Sequence, residues 1–212
     1  MIKLIIFGNG EIAEAVSDLA LQISNIKMSA FTVHKSFINS DKLNGFPVYP
    51  FENLEDYLNI KEHHFITAIS YKNLNQDRTK IYKLLKDNGV KFTNLIHETA
   101  LCRFDKIGEN NIIFEFNNFQ KGVEIGNNCI FWSHSHFGHH SKIGNNCFFA
   151  SNVTISGSVK VFDNNFFGSG STTVDNIVIE KENFISAGVT IRKNLKAKNV
   201  VYNRNNNLIY KV

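Results

Sequence analysis

Apolar residues recur at every sixth position from Ile107 to Ile191, and no feature constrains the fold of this chain more tightly. Fourteen of the fifteen positions in the series are apolar, with Thr173 the exception. A strand repeats every two residues and an α-helix every 3.6, so a sustained period of six requires a regularly repeated turn as well as a regularly buried side chain. Hexapeptide repeats of this kind are typical of a parallel β-helix.

Three hexads make a longer repeat of eighteen residues, visible in the matching segments IGENN, IGNNC and IGNNC that begin at Ile107, Ile125 and Ile143. Eighteen residues correspond to one triangular coil, so the series predicts about five coils. The fifth residue of each hexad is usually small or Asn, which suits a narrow interior. Cys129 and Cys147 occupy this position one coil apart, so we interpret them as core residues. An odd total of three cysteines also argues against a disulfide framework.

Composition narrows the class of protein further. With 43% hydrophobic and 20% charged residues, the chain has the make-up of an ordinary globular protein rather than a disordered one. Its net charge of +4 suits an anionic small molecule such as a nucleotide, but it falls short of the clustered basic surface that nucleic acid requires. No apolar run reaches the roughly 18 to 20 residues of a membrane span, and the N-terminus lacks a signal peptide's long apolar core. We therefore expect a cytoplasmic protein.

The period is absent before residue 100, where short apolar runs alternate with helical patterns. This alternation predicts a small α/β domain, with strands at 1–7, 29–33, 64–70 and 92–96, a helix from residue 12, a short helix near 54–58 and a helix at 75–87. The last eighteen residues leave the period, and VVYNRNNNLIYKV predicts a strand pair around an Asn-rich turn. We predict three units: an α/β domain at 1–98, a β-helix at 99–194 and a cap at 195–212.

A glycine turn joins the first predicted strand to the first predicted helix, at Gly8-Asn9-Gly10. Such a turn opens a nucleotide-binding βαβ unit, in which backbone amides and the positive helix N-terminus hold a phosphate. The segment GNGEIA has two glycines and an alanine, so the full GxGxxG pattern is absent. A purely structural turn is therefore an equally good interpretation.

The GNG turn, the segment TAISYKNLNQDRTKIYKLLKDNGVKFTNLIHETA and the coils containing HFGHHSKIGNN together resemble a known family. These are the left-handed β-helix acyltransferases that modify amino sugars on nucleotide carriers, of the bacillosamine N-acetyltransferase and sialic acid O-acetyltransferase type. The resemblance covers nearly the whole chain. It implies a Rossmann-like α/β domain that binds the nucleotide, a left-handed parallel β-helix, a homotrimer, and acyl-CoA in the cleft between neighbouring β-helices.

The resemblance also implies an activity. An acyl group, with acetyl as the first expectation, would pass from acetyl-CoA or another acyl-CoA to the amino group of a UDP- or dTDP-linked amino-deoxy sugar, for surface polysaccharide assembly. No metal is expected to take part.

Four histidines lie close together in the repeat, at His134, His136, His139 and His140. Acyl transfer from a thioester needs a base for the nucleophile's proton and a donor for the oxyanion. His139 stands at a predicted coil corner, and its counterpart one coil on, about 4.8 Å away, is Gly157, which would present an exposed amide. A zinc site and solvated surface histidines are the alternatives, although no Cys or carboxylate completes a set of zinc ligands.

The resemblance assigns the catalytic base to the same residue, His139. Related enzymes usually carry an acid at the next position, which orients the imidazole, whereas this chain carries His140. Glu124 and Glu115 are candidate substitutes for that acid.

Predicted contacts to acyl-CoA come from coil corners. They are the backbone of Gly157, Gly170, Ala187 and Gly188, with Lys193 or Arg192 near the phosphates. A corner that needs a positive φ is the competing explanation for each glycine.

Predicted contacts to the nucleotide sugar come from strand ends. The resemblance indicates Gly8, Asn9, Gly10, His34, Lys35, Ser70 and Tyr71. It also matches Arg78, for which a surface ion pair with Asp77 or Glu98 is the alternative.

Other functions remain open from the sequence. O-acetylation of a sialic-acid-like sugar would use the same chemistry, and a non-catalytic trimeric scaffold that binds a nucleotide would use the same fold. Transfer to a small amino acid or an antibiotic is a further alternative, but it leaves the N-terminal domain without a ligand.

Overall fold

In the computed structural model, which describes residues 1–204 and 207–211, the N-terminal part is a sheet with helices. The strand order is β3-β4-β2-β1-β5-β6, with β3 antiparallel to β4 and the other pairs parallel. The strands are β1 (Ile2–Phe7), β2 (Ile26–Val33), β3 (Lys42–Leu43), β4 (Phe46–Pro50), β5 (His63–Thr67) and β6 (Lys91–Phe92). The helices are α1 (Glu11–Gln22) and α2 (Gln76–Asp87), with 3-10 helices at Lys35–Phe37, Phe51–Asp56 and Ile60–Glu62.

Two local predictions are wrong in detail. The short helix near 54–58 is a 3-10 helix at Phe51–Asp56, and the hairpin of β3 and β4 that precedes it is missing from the prediction. The strand predicted at 92–96 is two strands, because Phe92 packs in the α/β sheet whereas Ile96 packs into the β-helix core. The first coil therefore begins at Leu95–Ile96, before residue 99.

The repeat forms three parallel sheets, in which strands of successive coils pair eighteen residues apart, except that Leu95 and Leu101 of the first coil pair with residues seventeen positions away. The first face contains β7 (Leu95–Ile96), β10 (Ile112–Ile113), β13 (Ile130–Phe131), β16 (Phe148–Phe149), β19 (Phe166–Phe167) and β22 (Phe184–Ile185). The second contains β8 (Leu101–Cys102), β11 (Asn118–Phe119), β14 (His136–Phe137), β17 (Thr154–Ile155), β20 (Thr172–Thr173) and β23 (Thr190–Ile191). The third contains β9 (Lys106–Ile107), β12 (Glu124–Ile125), β15 (Lys142–Ile143), β18 (Lys160–Val161) and β21 (Val178–Ile179).

The first residue of each hexad points inward, as the period predicts. All fifteen are buried except Ile107, which is partly exposed. Phe131, Phe149 and Phe167 stack face to face with ring centroids 5.1 and 4.8 Å apart, so each coil continues the core of the previous one. Cys129 and Cys147 are buried free thiols in the same core.

The coils turn at three corners, which explains the Asn-rich sequence between the strands. The first corner joins the first and second faces, the second corner joins the second and third, and the third corner joins the third and first. At the third corner Asn110, Asn128 and Asn146 each have a φ of 58°. Asn tolerates this left-handed conformation better than most residues, and the three amides bond to one another at 2.8 and 2.7 Å.

The α/β part packs against the first face of the β-helix. Leu4, Ile6 and Phe31 share a buried cluster with outward-facing residues of that face such as Ile130 and Phe148. Polar contacts mark both edges: the side chain of His97 bonds Gln22 at the first corner, and the Thr67 N–H donates to Asn110 Oδ1 at the third. The second corner therefore lies on the far side of the triangular coil from the α/β part.

Arg78 of α2 joins the two parts and is fully buried. Its guanidinium donates to the carbonyl oxygens of Asn128, Asn146 and Cys147, at 3.3, 3.1 and 3.1 Å, and to Asn75 Oδ1 at 3.1 Å. Burial lowers the pKa of Arg78 to about 10. Neither the predicted nucleotide contact nor the surface ion pair is correct, because the Arg78 side chain is buried between the α/β part and the β-helix and donates its hydrogen bonds there.

The chain ends in two antiparallel strands, β24 (Val200–Arg204) and β25 (Asn207–Lys211), and β24 extends the first face beyond β22. The predicted strand pair is therefore confirmed, while residues 205–206 of its turn lie outside the described residues. Among the described residues, no helix has the length and apolar character needed to cross a bilayer.

Candidate active site

The second corner brings His139 and His140 together. Their Nδ1 atoms are 3.1 Å apart, so one ring donates a hydrogen bond to the other. The His139 backbone N–H donates to Gln120 Oε1, and that of His140 donates to the Lys121 carbonyl, which fixes both residues to the preceding coil. Both side chains are exposed.

The other two histidines of the cluster point elsewhere. His134 lies at the first corner, where its ring stacks on Phe116 at 4.9 Å. His136 lies on the second face and meets the Asn118 amide at 3.2 Å. Among the described residues, no group of three or more His, Cys, Asp or Glu side chains is arranged to hold a metal ion.

Each histidine of the pair rests against a glycine. A Cβ built on Gly157 would lie 2.7 Å from Cε1 and 2.8 Å from Nε2 of His139, and one built on Gly122 would lie 2.7 Å from Cδ2 of His140. Both separations are shorter than atoms can tolerate, so any side chain at either glycine would displace a ring. Gly122 was missed from the sequence, although it stands one coil before His140.

The Gly157 amide is not exposed, contrary to the prediction. It donates to Asp175 Oδ1 at 2.7 Å, from the next coil. Sequence reasoning did not single out Asp175, although two steps of eighteen from His139 lead to it. The second corner therefore holds a pair of imidazoles, a bare glycine and a carboxylate in adjacent coils.

Neither proposed acid orients His139. Glu124 pairs with Lys142 at 2.8 Å, and Glu115 accepts from the Ser133 hydroxyl at 2.7 Å. Partial burial alone would raise the pKa of Glu115, but its hydrogen bonds outweigh this effect and lower the pKa. The polar partner of His139 is His140.

The residues predicted to contact acyl-CoA are divided between two corners. Gly157 and Lys193 lie at the second corner, while Gly170, Ala187 and Gly188 lie at the first. Gly170 and Gly188 have φ values of 67° and 68°, so corner geometry alone accounts for these glycines. Gly157 does not have a positive φ, so the His139 ring accounts for its missing side chain.

The residues predicted to contact the nucleotide meet at the carboxyl edge of the α/β sheet. Gly8 follows β1 with a φ of 144°, and a Cβ there would lie 2.5 Å from the Ala68 carbonyl oxygen. The Asn9 amide donates to the Phe37 carbonyl at 2.7 Å. Gly10 is the N-cap of α1, and no atom lies within 4 Å of its virtual Cβ. The turn thus has open space where a phosphate would approach the helix N-terminus.

The second strand end contains an acid that the sequence did not reveal. Glu52 bonds His34 Nδ1 and accepts from the Lys35 backbone N–H, both at 3.0 Å. Backbone hydrogen bonds, from its own amide first and then from Lys35, help lower the pKa of Glu52. No local pattern marks this residue, because the pairing of β2 with β4 brings it here.

Ser70 and Tyr71 follow β5 at the same edge. Tyr71 packs against Phe148 and Phe166, with ring centroids 5.1 and 4.4 Å away. It lines a cavity of about 570 Å³ between the start of α1, at Ile12, and the first face of the β-helix. Trp132 and Phe184 also line the cavity, so five of its twelve lining residues are aromatic.

Comparison of the sequence with protein-family models and with curated proteins gives no match. Solved structures resemble the fold closely. PerB from Caulobacter crescentus, in complex with CoA and GDP-perosamine, has a TM-score of 0.85 at 19% identity over 99% of this chain and 97% of its own. WeeI from Acinetobacter baumannii AYE has a TM-score of 0.84 at 19% identity over 99% and 100%.

The acetyltransferase domain of PglB from Neisseria gonorrhoeae FA1090 has a TM-score of 0.83 at 19% identity over 94% of this chain and 95% of its own. It has also been solved in complex with acetyl coenzyme A, with a TM-score of 0.82. These likenesses, over almost the full length, confirm the predicted fold class of a Rossmann-like α/β domain followed by a left-handed parallel β-helix.

Proposed function

We propose that this protein is an acyl-CoA-dependent N-acyltransferase that transfers an acyl group to the amino group of a nucleotide-linked amino-deoxy sugar, with acetyl as the expected acyl group. The observation that carries the proposal is His139 at the second corner, with Nε2 beside the bare backbone of Gly157. Two structural neighbours support it, since one is in complex with CoA and GDP-perosamine and the other with acetyl coenzyme A.

The pair of imidazoles provides the base. When His139 donates its Nδ1 proton to His140 Nδ1, its Nε2 carries a lone pair. Nε2 is also, with Cε1, one of the two ring atoms that border Gly157. His140 thereby holds the imidazole in the tautomer that catalysis needs, although as a neutral ring it adds no negative charge.

The protons balance through His139. An acceptor that arrives as an ammonium ion loses one proton before attack and a second as the N–C bond forms. His139 takes one of these protons and returns it to the CoA sulfur as the C–S bond breaks, while the other passes to solvent. The products are an amide, the free thiol of CoA and one released proton.

The nucleotide binds at the carboxyl edge of the α/β sheet in this proposal. The open turn at Gly8, Asn9 and Gly10 takes the diphosphate, and His34, Lys35, Ser70 and Tyr71 surround the rest of the ligand. The aromatic cavity beside Tyr71 offers apolar walls, which suit a sugar that has lost hydroxyl groups.

The complete site lies between copies of the chain, in a homotrimer. The nucleotide edge lies beside the first face, whereas His139 lies at the opposite corner, so a neighbouring copy must supply one of them. Both co-substrates are cytoplasmic metabolites, so we place the enzyme in the cytoplasm, in surface polysaccharide assembly. Sedimentation should give a trimer, and co-expression of His139→Ala with Gly10→Phe should restore activity that each variant lacks. Trimers of mixed composition without activity would contradict a shared site.

The activity itself is tested by following free thiol while purified protein is incubated with acetyl-CoA and UDP-, dTDP- and GDP-linked amino sugars. Turnover is expected with at least one amino sugar and should fall by about a hundredfold or more in His139→Ala, as for loss of a general base. His134→Ala, at the first corner, is the matched control and should retain activity. Turnover on free sialic acid alone would instead establish O-acetylation, and retained activity in His139→Ala would exclude this base.

A further inference from the structure

One column of residues runs down the second corner, one from each of five successive coils: Lys121, His139, Gly157, Asp175 and Lys193. A methyl group on Gly157 would lie 2.8 Å from His139 Nε2 and 3.2 Å from Asp175 Oδ1. The imidazole and the carboxylate therefore flank Gly157, and His139 Nε2 and Asp175 Oδ1 lie within about 6 Å of each other, close enough for one amine to contact both.

The coil does not need a carboxylate at this position. At the third corner, Asn127 and Asn145 hold the equivalent place, and each accepts the backbone N–H of the residue eighteen positions earlier, at 2.9 Å. An amide oxygen at this position therefore accepts the same backbone hydrogen bond that Asp175 Oδ1 accepts from Gly157. The fold of the coil therefore does not require the negative charge of Asp175.

We propose that Asp175 binds the acceptor amine of the sugar and holds it beside His139 Nε2, at the exposed edge of the second corner. The inference rests on the proposed function and adds a residue to it. The carboxylate can keep the Gly157 N–H on Oδ1 and accept from an ammonium group with Oδ2.

A carboxylate here serves the reaction in two ways. It attracts the ammonium form in which an amino sugar arrives, and it stabilises the positive charge that returns to nitrogen as the N–C bond forms. The second effect is a stabilisation of the transition state. It also provides the negative charge that the neutral His140 lacks, from a residue two coils away from His139.

The test compares Asp175→Asn with Asp163→Asn. Asp163 occupies the equivalent place at the third corner, where its Oδ1 accepts the Asn145 N–H at 2.7 Å, the same length as the bond from Gly157 to Asp175. Both substitutions keep an acceptor oxygen and remove one charge. Asp163 is the stricter structural control, because it is partly buried and both of its oxygens also accept from the Asn145 side-chain amide, at 3.3 Å. Only one of the two substitutions lies beside the histidines.

Asp175→Asn should raise the KM for the amino sugar nucleotide by about tenfold or more, the loss expected for a charge-assisted hydrogen bond. The KM for acetyl-CoA should change by less than about twofold. Asp163→Asn should leave both KM values near those of the wild type, and the melting temperature of Asp175→Asn should fall no further than that of Asp163→Asn. Equal kinetics in the two variants would overturn the inference while leaving the proposed function intact. Absence of transfer to any amino sugar by the wild type would remove both.

Discussion

Substitution of Gly157 by Ala tests the corner most directly, because the structure gives the size of the disturbance. The new methyl would stand 2.7 Å from Cε1 and 2.8 Å from Nε2 of His139, whereas ordinary contacts begin near 3.4 Å. The ring must therefore move by about 0.6–0.7 Å or rotate away from His140. A misplacement of about 1 Å at a reacting group costs roughly a hundredfold in rate, so we expect kcat to fall by about 30- to 100-fold.

The same substitution should hardly affect folding. His139 is exposed and Gly157 does not have a positive φ, so the free energy of unfolding should change by no more than about 0.5 kcal/mol. Gly45→Ala is the control variant, for which we expect the opposite result. Gly45 has a φ of 81° and open space around its virtual Cβ, so Ala there should cost about 1–2 kcal/mol of stability and leave kcat unchanged.

Two measurements decide the matter: thiol release at saturating substrates, and urea unfolding of both variants. The reasoning fails if Gly157→Ala keeps more than half of the wild-type kcat. It also fails if the loss of activity in both variants simply follows the loss of stability.

Two further predictions concern the interface between the α/β part and the β-helix. Arg78→Ala removes the guanidinium that donates hydrogen bonds to three backbone carbonyls. It should lower the free energy of unfolding by about 3 kcal/mol and Tm by roughly 6–12 °C, as measured by calorimetry. The control Arg103→Ala, at an exposed residue, should change the free energy of unfolding by less than about 0.5 kcal/mol. Partial burial alone would raise the pKa of Glu109, but hydrogen bonds from Lys86 and Tyr82 outweigh it and lower the pKa below 4.5. Its ionised form therefore stabilises the fold above pH 4.5 and loses that effect as the pH falls through the lowered pKa, so Glu109→Gln should flatten the acid side of the stability curve, and an unchanged curve would contradict the assignment.

The periodic part of the molecule could be predicted in detail because each coil repeats the same local solution. A side chain at one position faces the core, and the residue eighteen positions away stacks on it, whatever the rest of the chain does. The contact of His139 with Gly157 follows from this rule, and so do the contacts of His140 with Gly122 and of Gly157 with Asp175. Each of these contacts joins residues that are eighteen positions apart, so the repeat alone brings them together.

Contacts between elements without a common period could not be predicted in this way. Arg78 was expected at the surface or at a ligand, yet α2 places it against the carbonyls of the third corner. Glu52 reaches His34 only because β2 pairs with β4. The pairing of the His139 ring with His140 could not be predicted either, because side-chain torsions rather than the repeat bring the Nδ1 atoms of the two rings to 3.1 Å.

The sequence by itself therefore determined the coil, its core and the column of residues at each corner, since a strict repeat converts position in the chain directly into position in space. Only the tertiary structure decided which face the α/β part covers, that the predicted nucleotide edge and His139 lie on opposite sides of one chain, and that the Gly157 amide is already bonded. These outcomes depend on long-range packing and on side-chain conformations, which no local pattern encodes.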